Sequence, residues 1–142
     1  MRLRLSNQQN EVPVRVRPLL RRLKSSLPLL PRPLPAHFTA PAIHFVLVDR
    51  ATMARVHGDF LGDPTETDVI TFPYGEILVC PAVARDRAAE YGLEVEQEVL
   101  LYALHGLLHL AGYDDKTPEA AKEMAQAQAR LLKQVLEGQP PA

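Results

Sequence analysis

The segment from Val95 to Ala111 constrains the fold more than any other stretch of this chain. Its leucines, alanines and valine at positions 99–101, 103–104, 107–108 and 110–111 leave no continuous polar stripe at helical spacing. A helix that is apolar nearly all round is buried on every side. Glu94, Glu96 and Glu98 stand in or near its first turn, where carboxylates complement the helix dipole. Gly112 is placed to end it, as the left-handed residue just past the C-cap. A fully buried helix needs elements on all sides, so the rest of the chain must supply a sheet and further covering helices.

Those elements are legible from period and punctuation. Arg2-Leu3-Arg4-Leu5 alternates as a short half-buried strand does. From Val12, the residues Val16, Leu19, Leu20, Leu23 and Leu27 recur at helical spacing, with Pro18 either starting or kinking that helix. The prolines from Pro28 to Pro41 predict an irregular loop. Ile43–Val48 reads as a strand, and residues 50–60 as a short helix closed by Gly62-Asp63-Pro64. Asp68–Phe72 and Ile77–Cys80 are two further strands, joined by Pro73-Tyr74-Gly75-Glu76 as a hairpin. Pro81 opens a helix that ends at Gly92. Thr117 caps a last helix with Pro118 at its first position, running to Glu137 before Gly138. The expected architecture is α+β: a mixed sheet of about four strands covered by helices, with the buried helix central, as in a metalloprotease-like catalytic domain.

The 142 residues suit one domain spanning 1–142, and 46% hydrophobic with 23% charged residues is ordinary for a soluble globular protein. No run approaches the ~20 apolar residues that span a bilayer. The N-terminus lacks the apolar segment of a secretory signal, and Cys80, the sole cysteine, has no partner for an internal disulfide. The cytoplasm is therefore the expected compartment. Charge is unevenly spread. Before Pro35 lie eight basic residues, among them Arg15, Arg21, Arg22 and Lys24, opposed only by Glu11. Such a segment either attracts a phosphate backbone or is a solvated helix face.

The chemistry centres on His105 and His109. Four residues apart on a helix, their Cβ atoms stand about 6 Å apart on one face, which suits two ligands of one ion. Two buried imidazoles without partners would cost several kcal/mol in desolvated polar groups, on the order of 2–7 kcal/mol each. Past Gly112, Asp114 or Asp115 can return toward the same ion, giving three protein ligands and an open position for water. Gly106 stands where a zinc protease of H-E-x-x-H type carries its general-base glutamate, which argues against ordinary peptidase chemistry. Glu98 precedes His105 by seven residues and is either a dipole partner or an acceptor behind the ligand. His44 reads as structural or surface, and Cys80 as a small buried residue.

The run His105-Gly106-Leu107-Leu108-His109-Leu110-Ala111-Gly112-Tyr113-Asp114-Asp115 closely resembles the H-G-x-L-H-L-x-G-Y-D-H signature of the YbeY endoribonuclease family. Upstream, Thr67-Asp68-Val69-Ile70-Thr71-Phe72-Pro73 is similar to the family's T-D-V-L-S-F-P, and Gly75-Glu76-Ile77 continues the likeness. The resemblance implies a metal-dependent hydrolase that cuts single-stranded RNA, acting in 3′-end maturation of small-subunit ribosomal RNA and in ribosome quality control. It implies a zinc ion on His105, His109 and Asp115 that polarises phosphate oxygen and activates water, with no other catalytic group identified. Its implied partners are small-subunit rRNA, a small-subunit ribosomal protein and an Era-type GTPase.

Two departures from the family pattern stand out. Asp115 replaces the family's third histidine. A carboxylate still binds zinc, but it lowers the charge of the site from +2 to +1, weakens Lewis acidity and shifts preference toward manganese or iron. Leu61, after Phe60, falls where the family's Y-R pattern carries arginine. Arg55, His57 and Lys116 are the candidate substitutes for that charge by proximity in sequence. The rival readings are a metallopeptidase, and a non-catalytic RNA-binding assembly factor whose site has decayed.

Overall fold

In the computed structural model, residues 1–138 are described; the last four residues of the expected domain, 139–142, lie outside the described residues. Four strands, β1 (Arg2–Gln8), β2 (Ala42–Val48), β3 (Val69–Phe72) and β4 (Glu76–Val79), form one mixed sheet in the order β1-β2-β4-β3. β1 and β4 both run parallel to the central β2, and β3 is antiparallel to β4 at the opposite edge from β1. Five helices cover it: α1 (Val16–Ser26), α2 (Arg50–Leu61), α3 (Pro81–Tyr91), α4 (Val95–Leu110) and α5 (Pro118–Glu137). The expected α+β architecture is the one observed.

The period of two divides the core. Ile43, Phe45 and Leu47 of β2 and Ile77 and Val79 of β4 join one cluster with α1, α4 and α5. Val46, Val48 and Leu78 point to the other face and meet Met53 of α2 together with Ile70, Cys80 and Ala82. β2 is almost continuously buried because it has a neighbour on each side and helices on both faces. α4 is as enclosed as its composition requires: Leu100, Leu104, Leu107 and Leu108 have no exposed surface, and the helix contacts α1, α3, α5, β3 and β4.

Two boundaries differ from expectation. β1 runs on through Ser6, Asn7 and Gln8, which are polar but complete a ladder with Val46, Leu47 and Val48 of β2. α1 begins at Val16 rather than Val12. Pro13 disfavours helix at the residue before it, and the Gln9 side chain holds the segment instead, accepting from the backbone of Val12 at 3.0 Å and donating to its carbonyl at 2.9 Å. Val12 is still buried, in the α2-side cluster. Pro18 stands in the first turn of α1, where its missing N–H is not needed, so it starts the helix rather than kinking it. His44 accepts or donates a 2.7 Å bond with Ser6 across the β1–β2 pair and is structural, as the sequence suggests.

Candidate metal centre

α4 brings the two histidines to the edge of the sheet, and Gly106 lets it come close. A Cβ at position 106 would stand 2.6 Å from Ile77 Cγ2 and 3.1 Å from Thr71 Oγ1. The helix therefore rests directly on the β3–β4 hairpin, with His105 and His109 half-buried beside it. Any side chain at 106 would force Ile77 to shift, so the absent glutamate noted in the sequence has a packing cause.

Beyond Leu110 the chain closes a Schellman motif. Gly112, at φ +99°, donates to the His109 carbonyl at 3.0 Å, and Tyr113 donates to that of Leu108 at 3.0 Å. This turn does two things. It aims the Tyr113 carbonyl at His109 Nδ1, 3.1 Å away, and it returns the Asp115 carboxylate to the histidine pair. Asp114 is occupied otherwise, accepting from the Lys116 backbone at 3.0 Å, which decides between the two aspartates. The Arg32 guanidinium lies 4.0 Å over the Tyr113 ring and bonds Glu123 of α5, clamping the turn.

The hydrogen bonds set the protonation pattern. His109 Nδ1–H donates to the Tyr113 carbonyl, and His105 Nδ1–H donates to Gln128 Oε1 at 2.6 Å. Were both rings neutral, each Nε2 would keep a free lone pair, and the two atoms stand 3.1 Å apart. Two such lone pairs repel unless a cation or proton lies between them. Tetrahedral zinc would hold its nitrogens about 3.3 Å apart. With Asp115 included, the three donor atoms lie within 4.8 Å of one another, so the group can hold a metal ion. Burial, then the neighbouring His105, holds His109 below its ordinary value against the opposing pull of Asp115, favouring the neutral ring that coordination needs.

Gln128 escaped the sequence reading. Its signal was a polar residue on the stripe of α5 that buries Met124, Ala127 and Leu131. Glu98 is not the acceptor behind His105. It is buried within α4's first turn and lines a second cavity, of about 440 Å³, with Tyr102, Arg87, Asp68 and Gln128. Burial pushes the Tyr102 phenol well above its ordinary value.

The larger cavity, of about 730 Å³, is lined by the three candidate ligands His105, His109 and Asp115, the segment 68–73, Phe60 and Leu61. His37 and Phe38, from the proline-rich segment, complete its wall, and neither was singled out from sequence. Arg55, His57 and Lys116 are not among its lining residues. Arg55 and Lys116 are exposed, and His57 bonds the Thr65 carbonyl at 2.8 Å.

A donor set of this kind at the mouth of a cavity, on an α+β sheet, defines a protein with a metal-capable centre open to a ligand. Comparison with known proteins narrows the class. The chain belongs to the endoribonuclease YbeY family, whose family model matches residues 4–136. It is 37% identical to the endoribonuclease YbeY of Renibacterium salmoninarum, over 70% of this chain and 74% of that one. The Nocardia farcinica protein of the same name is 39% identical, over 67% of this chain and 62% of that one. The solution structure of TM1509 from Thermotoga maritima superposes with a TM-score of 0.67 at 27% identity, covering 94% of this chain and 88% of that one. Among the described residues no helix is long and apolar enough to cross a membrane.

Proposed function

We propose that this chain is a metal-dependent endoribonuclease that cuts single-stranded RNA, in 3′-end maturation of small-subunit rRNA and in ribosome quality control in the cytoplasm. The observation that supports the metal requirement is the convergence of one ligand atom each from His105, His109 and Asp115 within 4.8 Å of one another. Family membership supports RNA as substrate. On this reading the partners are small-subunit rRNA, a small-subunit ribosomal protein and an Era-type GTPase.

His105, His109 and Asp115 hold one divalent ion, zinc first, with manganese or iron favoured more than a three-histidine set would allow. Such an ion supplies Lewis acidity toward phosphate oxygen and acidifies water. The chain does the positioning. Gln128 and the Tyr113 carbonyl keep the imidazole protons at Nδ1, so that both Nε2 atoms remain donors of electron pairs. The Asp115 carboxylate lowers the charge of the centre. At the cavity wall His37 is the basic side chain outside the ligand set, and Arg87 lines the adjoining cavity that shares His105 and Asp115, so these two are placed to meet a phosphate.

The peptidase reading has one feature in its favour: β3 is the last strand of the sheet, and its segment lines the cavity as an extended peptide would require. The clash that any side chain at 106 would meet removes the H-E-x-x-H mechanism from it. Purified protein is incubated with single-stranded RNA and with casein, with added zinc or manganese, and His109→Ala serves as control. RNA cleavage lost in the variant supports the nuclease; casein cleavage alone supports the peptidase. RNA bound in a salt-sensitive way but never cut, with no change in the variant, supports an assembly factor.

A further inference from the structure

The cavity wall beside the ligands is aromatic where a phosphate-binding enzyme would be expected to carry positive charge. Phe60, Leu61 and Tyr74 are 67%, 62% and 64% exposed, and they come from two separate elements, the end of α2 and the β3–β4 turn. Between Phe60 and Tyr74 lies Phe72 of β3. Its ring meets Phe60 edge-on, with centroids 5.3 Å apart, and stacks on Tyr74 at 5.5 Å with planes 19° apart. Tyr74 is held in place by a 3.1 Å bond from its hydroxyl to Glu76. Phe60, Leu61 and Phe72 line the same cavity as His105, His109 and Asp115, and Tyr74 extends the aromatic row beyond its lining.

Large rings left in water are unfavourable, by roughly 25 cal/mol for each Å² of apolar surface exposed. Two exposed rings, bridged by the half-buried ring of Phe72, therefore call for an occupant with flat apolar faces. Among the described residues no arginine or lysine lines this cavity, and the Arg87 guanidinium belongs to the second cavity, which shares His105 and Asp115 with it, so this wall does not grip a phosphate chain through many charges. What it offers is π surface, and a nucleobase has a π-face whatever its identity.

We infer that Phe60, Phe72 and Tyr74 form a stacking platform for an unpaired base of single-stranded RNA next to the bond that is cut, with Leu61 extending its apolar rim. This rests on the proposed RNA substrate. The platform positions substrate by its base where charge on the wall is lacking. It also selects single strands, because a base in a duplex has both faces covered by its neighbours. Binding through stacking releases few counterions, so affinity falls only shallowly with salt.

The test uses metal-loaded protein and short RNAs carrying 2-aminopurine at successive positions, whose fluorescence is quenched on stacking. Quenching at one position, relieved in Phe60→Ala and Tyr74→Ala with binding weakened roughly 5- to 150-fold, is the expected result. Phe60→Leu keeps apolar area without a ring and should behave as the alanine variant does, while Phe60→Tyr should restore quenching. An RNA with an abasic residue at that position should bind wild type and variants alike. Phe60 and Tyr74 are exposed, and unchanged thermal melts confirm that the variants fold. Wild-type protein that cuts RNA, with Phe60→Leu binding and cutting equally well, overturns the platform and leaves the nuclease standing. Wild-type protein that neither binds nor cuts RNA overturns both. An extended peptide whose binding, unlike that of RNA, depends on Phe60 overturns the choice of occupant.

Discussion

Gly106 shows how one missing side chain serves both the packing and the chemistry. In an exposed helix, glycine to alanine is favourable by about 1 kcal/mol. Here the added methyl would meet Ile77, which has no exposed surface and no room to move. Overpacking of this kind costs about 1–3 kcal/mol. Gly106→Ala should therefore lower the urea midpoint, and a midpoint equal to or above wild type would contradict the close seating of α4 on the hairpin. His109 is the second residue with a measurable signature. Its folded-state value lies below the ordinary 6.5, so above that pH neither state is protonated and no stability is at stake. As pH falls through 6.5 the unfolded chain takes up the proton first, and metal-free stability declines until the lower folded value is reached. Urea midpoints measured from pH 8 to 5 should show a smaller decline in His109→Ala than in wild type.

At the scale of elements, α5 matters to the centre as much as α4 does. It holds its place through an N-cap in which Thr117 accepts from the Ala120 amide at 3.0 Å, and it presents Gln128 to His105 at 2.6 Å. Gln128→Leu keeps the volume and removes the acceptor, freeing the His105 ring to turn or change tautomer. Metal affinity should drop roughly 10- to 100-fold, read by competition with a chromophoric chelator, while the metal-free melt barely changes. Gln128→Glu keeps an acceptor and should retain most of the affinity. Equal affinity in the leucine variant would mean that Gln128 does not orient the ligand.

At the scale of the molecule, the candidate ligands lie between residues 105 and 115, but the groups that orient and clamp them come from both ends of the chain, Arg32 and Gln128 included. An ion bound there prefers the folded state alone. At a hundred times its Kd it should add about 2.7 kcal/mol to unfolding free energy. Wild-type protein should melt higher with zinc than with a chelator, and His109→Ala should melt at one temperature in both. Coincident wild-type melts would remove the ion from the centre.

Local spacing was enough to place α4, its histidine pair, the glycine turn and the four strands, because each depends on residues within a few positions of one another. A separation of four on a helix defines a shared face whatever surrounds it. Even the choice of Asp115 was narrowed to two neighbours before Asp114 proved committed to Lys116. Polar Ser6–Gln8 became strand only because β2 offered a ladder, and Val12 left the helix for a core cluster assembled from distant segments. Gln128 and His37 reach the site, and Phe60 meets Phe72, across separations that no local period encodes. The chain by itself determined which atoms can bind an ion. Tertiary packing decided how they are aimed and what surrounds them, since orientation depends on neighbours brought together only by the closed core.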